Sequence, residues 1–356
     1  MIEVIFYLVW VMLEIEPLAH FNFSKVFIFI LLFTNSNYPQ KFPNPEVHKL
    51  LEVGIEYILN QNYELANEKF NLLSKRHPEL PLGKIYLALS EIIKASDLGE
   101  DVNPKILDDL DKTIELSEKL ADEDPSNIWN HYYAALSKGC KSYYHVLNGE
   151  WLSVISNGLS SVNNFEDCLE LDSSFYESYV AIGAYKFWKS RKLEFLEWLP
   201  FVEDNSEEGI LYLEQAVKKT IYSRHLAAIS LIWIYIELKQ NKKAIELAER
   251  ELRKNPINRT LKWALGRAYE DLDLKKSINI YNQLIISYQA VPNQNYYQET
   301  ILKHILAQQY VKLGEYREAR RLCDEILSNK KMSENVRERL MDRLKKVKKL
   351  KKDLTN

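Results

Sequence analysis

Glycine is scarce in this chain, 10 of 356 residues, where a share of about 7% is usual. A mostly helical chain tolerates that, whereas one built on phosphate-cradling loops does not. Cysteine is rarer still. Cys140, Cys168 and Cys323 show no CxxC spacing and no neighbouring histidine cluster. Their odd number argues against a disulfide framework, although in an exported protein a Cys140–Cys168 bridge stays open. The histidines His20, His48, His77, His131, His145, His225 and His304 are scattered, with no two at i, i+4, and read as surface or packing residues rather than metal ligands. There is no GxxxxGKS/T, no GxGxxG, no HExxH and no GxSxG, so the motifs for phosphate, dinucleotide, zinc and acyl chemistry are missing. No dominant charge exists either: the net value is -3, which gives no global field for nucleic acid. Runs of apolar residues are short. Segments 4–13 and 26–33 both fall below the roughly 20 residues that a spanning helix needs.

What is present is a folded chain, 46% hydrophobic and 27% charged, with a repeating pattern of small and large residues. Leu50, Val53, Gly54 and Tyr57 are followed by Ala66, Phe70 and Pro78. The stretch 229–269 repeats the theme. Leu231, Ile234, Tyr235 and Leu238 lie at helical spacing, and Asn241 falls where that helix must stop. Ala244, Leu247, Ala248 and Leu252 continue on a second helix, closed by Asn255 and Pro256, because proline disfavours helix at the residue before it.

This spacing resembles the tetratricopeptide repeat, a 34-residue helix–turn–helix unit. The resemblance covers residues 46–328. It implies an all-α, right-handed α-α superhelix of about seven helical hairpins, with small residues such as Gly54 and Ala66 where paired helices cross. Cys168 and Cys323 take packing positions in it. The middle units are extended: a loop is expected over 97–104, Ser206 should cap a helix, and a linker should occupy 287–297. After the last unit, 334–350 reads as one amphipathic helix that caps the array.

Four segments follow. Residues 1–36 read as a signal peptide or membrane anchor, since Lys25, an apolar core and small polar residues follow in secretory order. Residues 37–45 are a linker, 46–329 the superhelix and 330–356 a basic terminal helix. Between residues 330 and 352 stand eleven Lys or Arg against three acids. That segment therefore carries +8 and the remainder -11.

The resemblance implies a non-enzymatic scaffold that binds a protein or peptide and needs no cofactor. Nucleic acid is not expected, and membrane contact is confined to residues 1–36. The expected setting is an exported or membrane-held protein of a bacterium. The alternatives are a cytoplasmic adaptor whose first residues are misassigned, a structural subunit of an envelope or secretion assembly, or an enzyme on a helical-repeat body. The family's concave lining maps to Leu226, Ile229, Trp233 and Ile236, to Thr260, Trp263, Arg267 and Glu270, and to Ile301, His304 and Gln308. The Lys and Asn pattern that clamps a terminal carboxylate in some family members is missing. One further stretch stands out. Residues 185–201 hold six aromatics and four cations, including Trp188, Lys189, Arg191 and Trp198. The candidate partner contacts are therefore Trp188, Lys189, Arg191, Trp198, Trp233, Trp263 and Arg267, since Trp and Arg dominate interface energetics.

Overall fold

A computed structural model describes residues 40–193 and 204–354. The 1–36 segment and Trp198 lie outside them. All regular structure among the described residues is helical, in chain order. The hairpins are α1 (Pro45–Leu59) with α2 (Tyr63–Arg76), α3 (Leu82–Leu98) with α4 (Lys105–Glu123), and α5 (Ile128–Asn148) with α6 (Trp151–Leu171). Next come α7 (Tyr179–Leu193) with α8 (Ser206–Lys219), α9 (Arg224–Glu237) with α10 (Asn241–Leu252), α11 (Arg259–Tyr269) with α12 (Leu274–Gln289), and α13 (Tyr297–Lys312) with α14 (Tyr316–Ser328). Two further helices, α15 (Glu334–Arg339) and α16 (Met341–Asp353), close the chain. The seven expected hairpins are all present, and the helices of the hairpins pack mainly on their neighbours in sequence, while α16 packs mainly on α14.

Local chemistry starts these helices where the sequence places them. Asn44 accepts the backbone N–H of Glu46 at 2.9 Å ahead of Pro45, a good cap with proline in its preferred first position. Asn127, Asn258 and Asp273 do the same for α5, α11 and α12. Close crossings then demand small residues. A Cβ on Gly54 would lie 2.3 Å from the Phe70 ring. Gly183 and Gly209 face each other so closely that a Cβ on either would meet the other's carbonyl oxygen, at 2.8 or 2.5 Å.

Several boundaries differ from expectation. Asn241 begins α10 rather than ending α9, which stops at Glu237. Ser206 is the first residue of α8, and its N–H is held by Asp204 Oδ1 at 2.8 Å, so the aspartate takes the capping role. α12 runs to Gln289, which shortens the 287–297 linker. The terminal helix breaks at Leu340. Met332, Val336 and Leu340 pack towards Tyr297 and Ile301, while Val347 joins the core of the seventh hairpin. One straight helix could not serve both directions. The three thiols are free and buried.

The concave inner face expected of the superhelix is not continuous. Tyr222, in the turn before α9, accepts the Phe42 N–H at 3.0 Å, meets His48 Nδ1 at 2.7 Å and lies 6.5 Å from the Trp129 ring. Unit five thus touches the start of unit one across the axis, within one core that also holds Tyr86, Tyr132 and Phe175. Glu177 fixes this turn from below. Its buried carboxylate accepts the N–H groups of Ile221, Tyr222 and Ser223 at 2.7 to 3.0 Å. Burial pushes its titration up, and the three N–H bonds pull it back.

A second set of contacts shuts the coil. Asp97, at the end of α3, receives the guanidinium of Arg259, at the start of α11. The hydroxyls of Tyr63 and Tyr288 donate to the same carboxylate at 2.9 and 3.2 Å. Both charged side chains are buried, 7% and 8% exposed. Around them Asn258 donates to Leu59 O, Gln298 to Ser96 O, and Asn295 and Arg339 to Gly99 O. The coil is wound tightly enough for units six and seven to rest on units one and two.

Candidate interaction surface

Closure of the coil decides which inner residues remain open. On the inner face of unit seven, Ile301 is covered by Met332, Val336 and Leu340. His304 is 3% exposed, with Nδ1 at 3.3 Å from Arg343 Nη1 of α16. Arg343 can only donate, so this nitrogen accepts. Burial first, then the charges of Arg343 and Lys346, push His304 down to about 4. Gln308 alone of that expected lining is exposed.

Units five and six keep more of their inner face. α9 and α11 are neighbours. Leu226 is 42% exposed, and Trp233, Ile236, Thr260, Trp263 and Arg267 are half-buried. Ile229 is buried. Trp263 Nε1 donates to Tyr288 Oη at 3.1 Å, and its ring meets Tyr281 edge-on at 5.7 Å. Tyr288 in turn donates to Asp97, so Trp263 is wired to the closure of the coil. Arg267 Nη1 reaches Glu270 Oε2 at 2.8 Å, while Tyr281 donates to the other oxygen at 2.7 Å. The guanidinium thus sits on the surface with its position fixed.

The residues expected around 185–201 separate. Trp188 is 1% exposed and packs edge-on against Phe187 at 5.0 Å. As a partner contact it is corrected to a core residue, because α7 turns it towards the cluster formed with α8 and α9. Lys189 is exposed, with its ammonium 5.4 Å from the Tyr185 ring. Arg191 reaches Glu237, at the end of α9, at 3.7 Å. Trp198 lies outside the described residues.

Sequence reasoning missed the network of Tyr63, Asp97, Arg259 and Tyr288. These residues are up to 225 positions apart, and no local pattern pairs them. Among the described residues no group of three His, Cys, Asp or Glu side chains could hold a metal. No described helix is long and apolar enough to cross a membrane. The cavity beside the closure, lined by Leu98, Tyr288 and Asn295, has a volume of about 10 Å³, room for no more than a water.

No family model matches the sequence, and no curated protein matches it. Solved structures do. A monomeric mutant of IFIT1 with Gppp-AAAA is 16% identical, with 78% of this chain and 58% of that one covered, at a TM-score of 0.43. This chain therefore spans little more than half of that protein. The human IFIT1 dimer with m7Gppp-AAAA is 14% identical over 82% and 70% of the two chains, at 0.42. A tetratricopeptide repeat protein from Parabacteroides merdae is 12% identical over 88% of this chain and 100% of its own, at 0.34. The hairpin stack is established by this chain's own consecutive helix packing and by the close crossings at Gly54 and Gly183.

Proposed function

We propose that the protein is a non-enzymatic scaffold that holds a protein or peptide segment against the inner face of units five and six. One observation carries this reading. The inner positions of unit seven are largely covered by the chain's own terminus and Tyr222 of unit five sits against Phe42, His48 and Trp129, while Leu226, Trp263 and Arg267 stay accessible on adjacent helices. An apolar contact beside a positioned guanidinium suits a peptide with apolar and acidic groups. Nucleic acid stays outside this reading, since the chain without residues 330–352 carries -11.

A peptide library displayed on phage and selected on the full chain tests it. Selected peptides should be rich in acidic and apolar residues, and Leu226→Asp with Arg267→Glu should weaken them by about tenfold, or 1.4 kcal/mol. Equal binding to that variant would refute the surface. Tighter capture of an oligonucleotide, or turnover of any substrate by purified protein, would refute the scaffold.

We further propose export or retention at a membrane through residues 1–36. Fractionation followed by N-terminal sequencing reads this directly. A mature start near Asn37, or membrane retention, is expected. A soluble cytoplasmic protein that begins at Met1 would contradict it.

A further inference from the structure

The turn between α9 and α10 differs from its counterparts. In units one and seven a tyrosine stands three residues before the small crossing residue: Tyr63 before Ala66 and Tyr316 before Ala319. Unit six has Leu274 there, before Ser277. Tyr63 uses the place to reach the end of the next inner helix, at Asp97. Unit five has Asn241 before Ala244. The shorter side chain leaves an open pocket of about 310 Å³ between this turn and Leu272, at the end of the next inner helix, lined also by Lys239, Gln240, Lys242 and Lys243.

Asn241 is 93% buried and lines this pocket, yet its amide forms no hydrogen bond among the described residues. The first turn of α10 is also open. Gln240 gives no side-chain cap, and no acid stands in that turn. The N–H groups of Asn241, Lys242 and Lys243 therefore point out of the helix without intrahelical partners. Three lysines surround them, one of them, Lys243, 5.3 Å from the Tyr235 ring. Two of the three acids next to Leu272 in sequence are engaged elsewhere. Glu270 holds Arg267 and Tyr281, and Asp273 caps α12. Asp271 is exposed.

We propose that this pocket binds a phosphate monoester. Open N–H groups at a helix start complement an anion, lysine ammoniums add the charge that a dianion needs, and the Asn241 amide supplies a directed donor. Leu272 and the lysine stems offer an apolar wall to the group that carries the phosphate. This ligand is separate from the peptide surface proposed above, and its test does not depend on that surface.

Amide spectra of the full chain titrated with inorganic phosphate at constant ionic strength provide the test. The Lys242 and Lys243 signals should move in a saturable way. O-Phosphoserine and adenosine monophosphate, run as parallel probes, separate a phosphorylated side chain from a nucleotide by which one binds more tightly than free phosphate. Asn241→Tyr restores the residue of units one and seven and fills the pocket while keeping all three lysines. It should weaken binding by at least about tenfold. Lys239→Gly removes one cation from a left-handed position, φ 57°, where glycine is at ease, so it should fold well and bind several-fold more weakly. No saturable shift in the wild-type chain, or unchanged binding in Asn241→Tyr, would overturn the proposal.

Discussion

A single hydrogen atom's worth of space decides the crossing at Gly54. Its added Cβ would stand 2.3 Å from the Phe70 ring, and that ring is fully buried, so it has nowhere to go. Gly54→Ala should lower stability by about 1–3 kcal/mol, read as a shift in the urea midpoint at constant m-value. His304 gives a second test. Its value of about 4 lies below the ordinary histidine range near 6.5. The unfolded chain therefore takes up the proton first. Stability is complete above about pH 6.5 and falls as pH drops towards 4. His225, pushed to about 4 chiefly by burial, adds in the same direction. Arg343→Gln should raise the His304 value in an NMR titration, and an unchanged value would remove Arg343 from the account.

Elements were the most legible scale. The Gly54, Tyr57, Ala66 and Phe70 spacing places both helices of unit one, because the crossing constrains residues close in sequence. The Asn and Asp caps fix starts for the same reason. What failed at this scale had a tertiary cause. Trp188 looked available because apolar and charged residues alternate around α7, so no face of that helix declares itself; packing against α8 and α9 chose one. The break at Leu340 likewise follows from two separate surfaces that α15 and α16 must cover. Asn241 was legible and overlooked: aligning Tyr63, Asn241 and Tyr316 on their following alanines exposes the exception. The terminal pair supplies a prediction. Val347 is fully buried and Leu340 3% exposed, so a chain ending at Ser328 should leave Ile301 and the seventh core open. Hydrogen exchange in α13 and α14 should then rise by orders of magnitude, with α1 and α2 little changed.

At the scale of the molecule, adjacency along the chain builds the coil and distant polar contacts shut it. The hairpin order was readable because each unit buries its faces on its neighbours. The closure was not, because a single sequence carries no signal that pairs Asp97 with Arg259. The consequence is functional. Closure consumes much of the inner surface that an open superhelix would offer and confines the accessible part to units five and six. Trp263 links the two through Tyr288, so a ligand that displaces Trp263 should loosen the seam. The closure itself is tested most directly by a double-mutant cycle in urea on Asp97→Asn and Arg259→Met. Each single change leaves a buried group without its charged partner and should cost about 3–5 kcal/mol. The double variant should cost less than their sum, with a coupling of about 1–3 kcal/mol. Strictly additive losses would mean that these residues do not meet in solution, and the closed coil would fall with them.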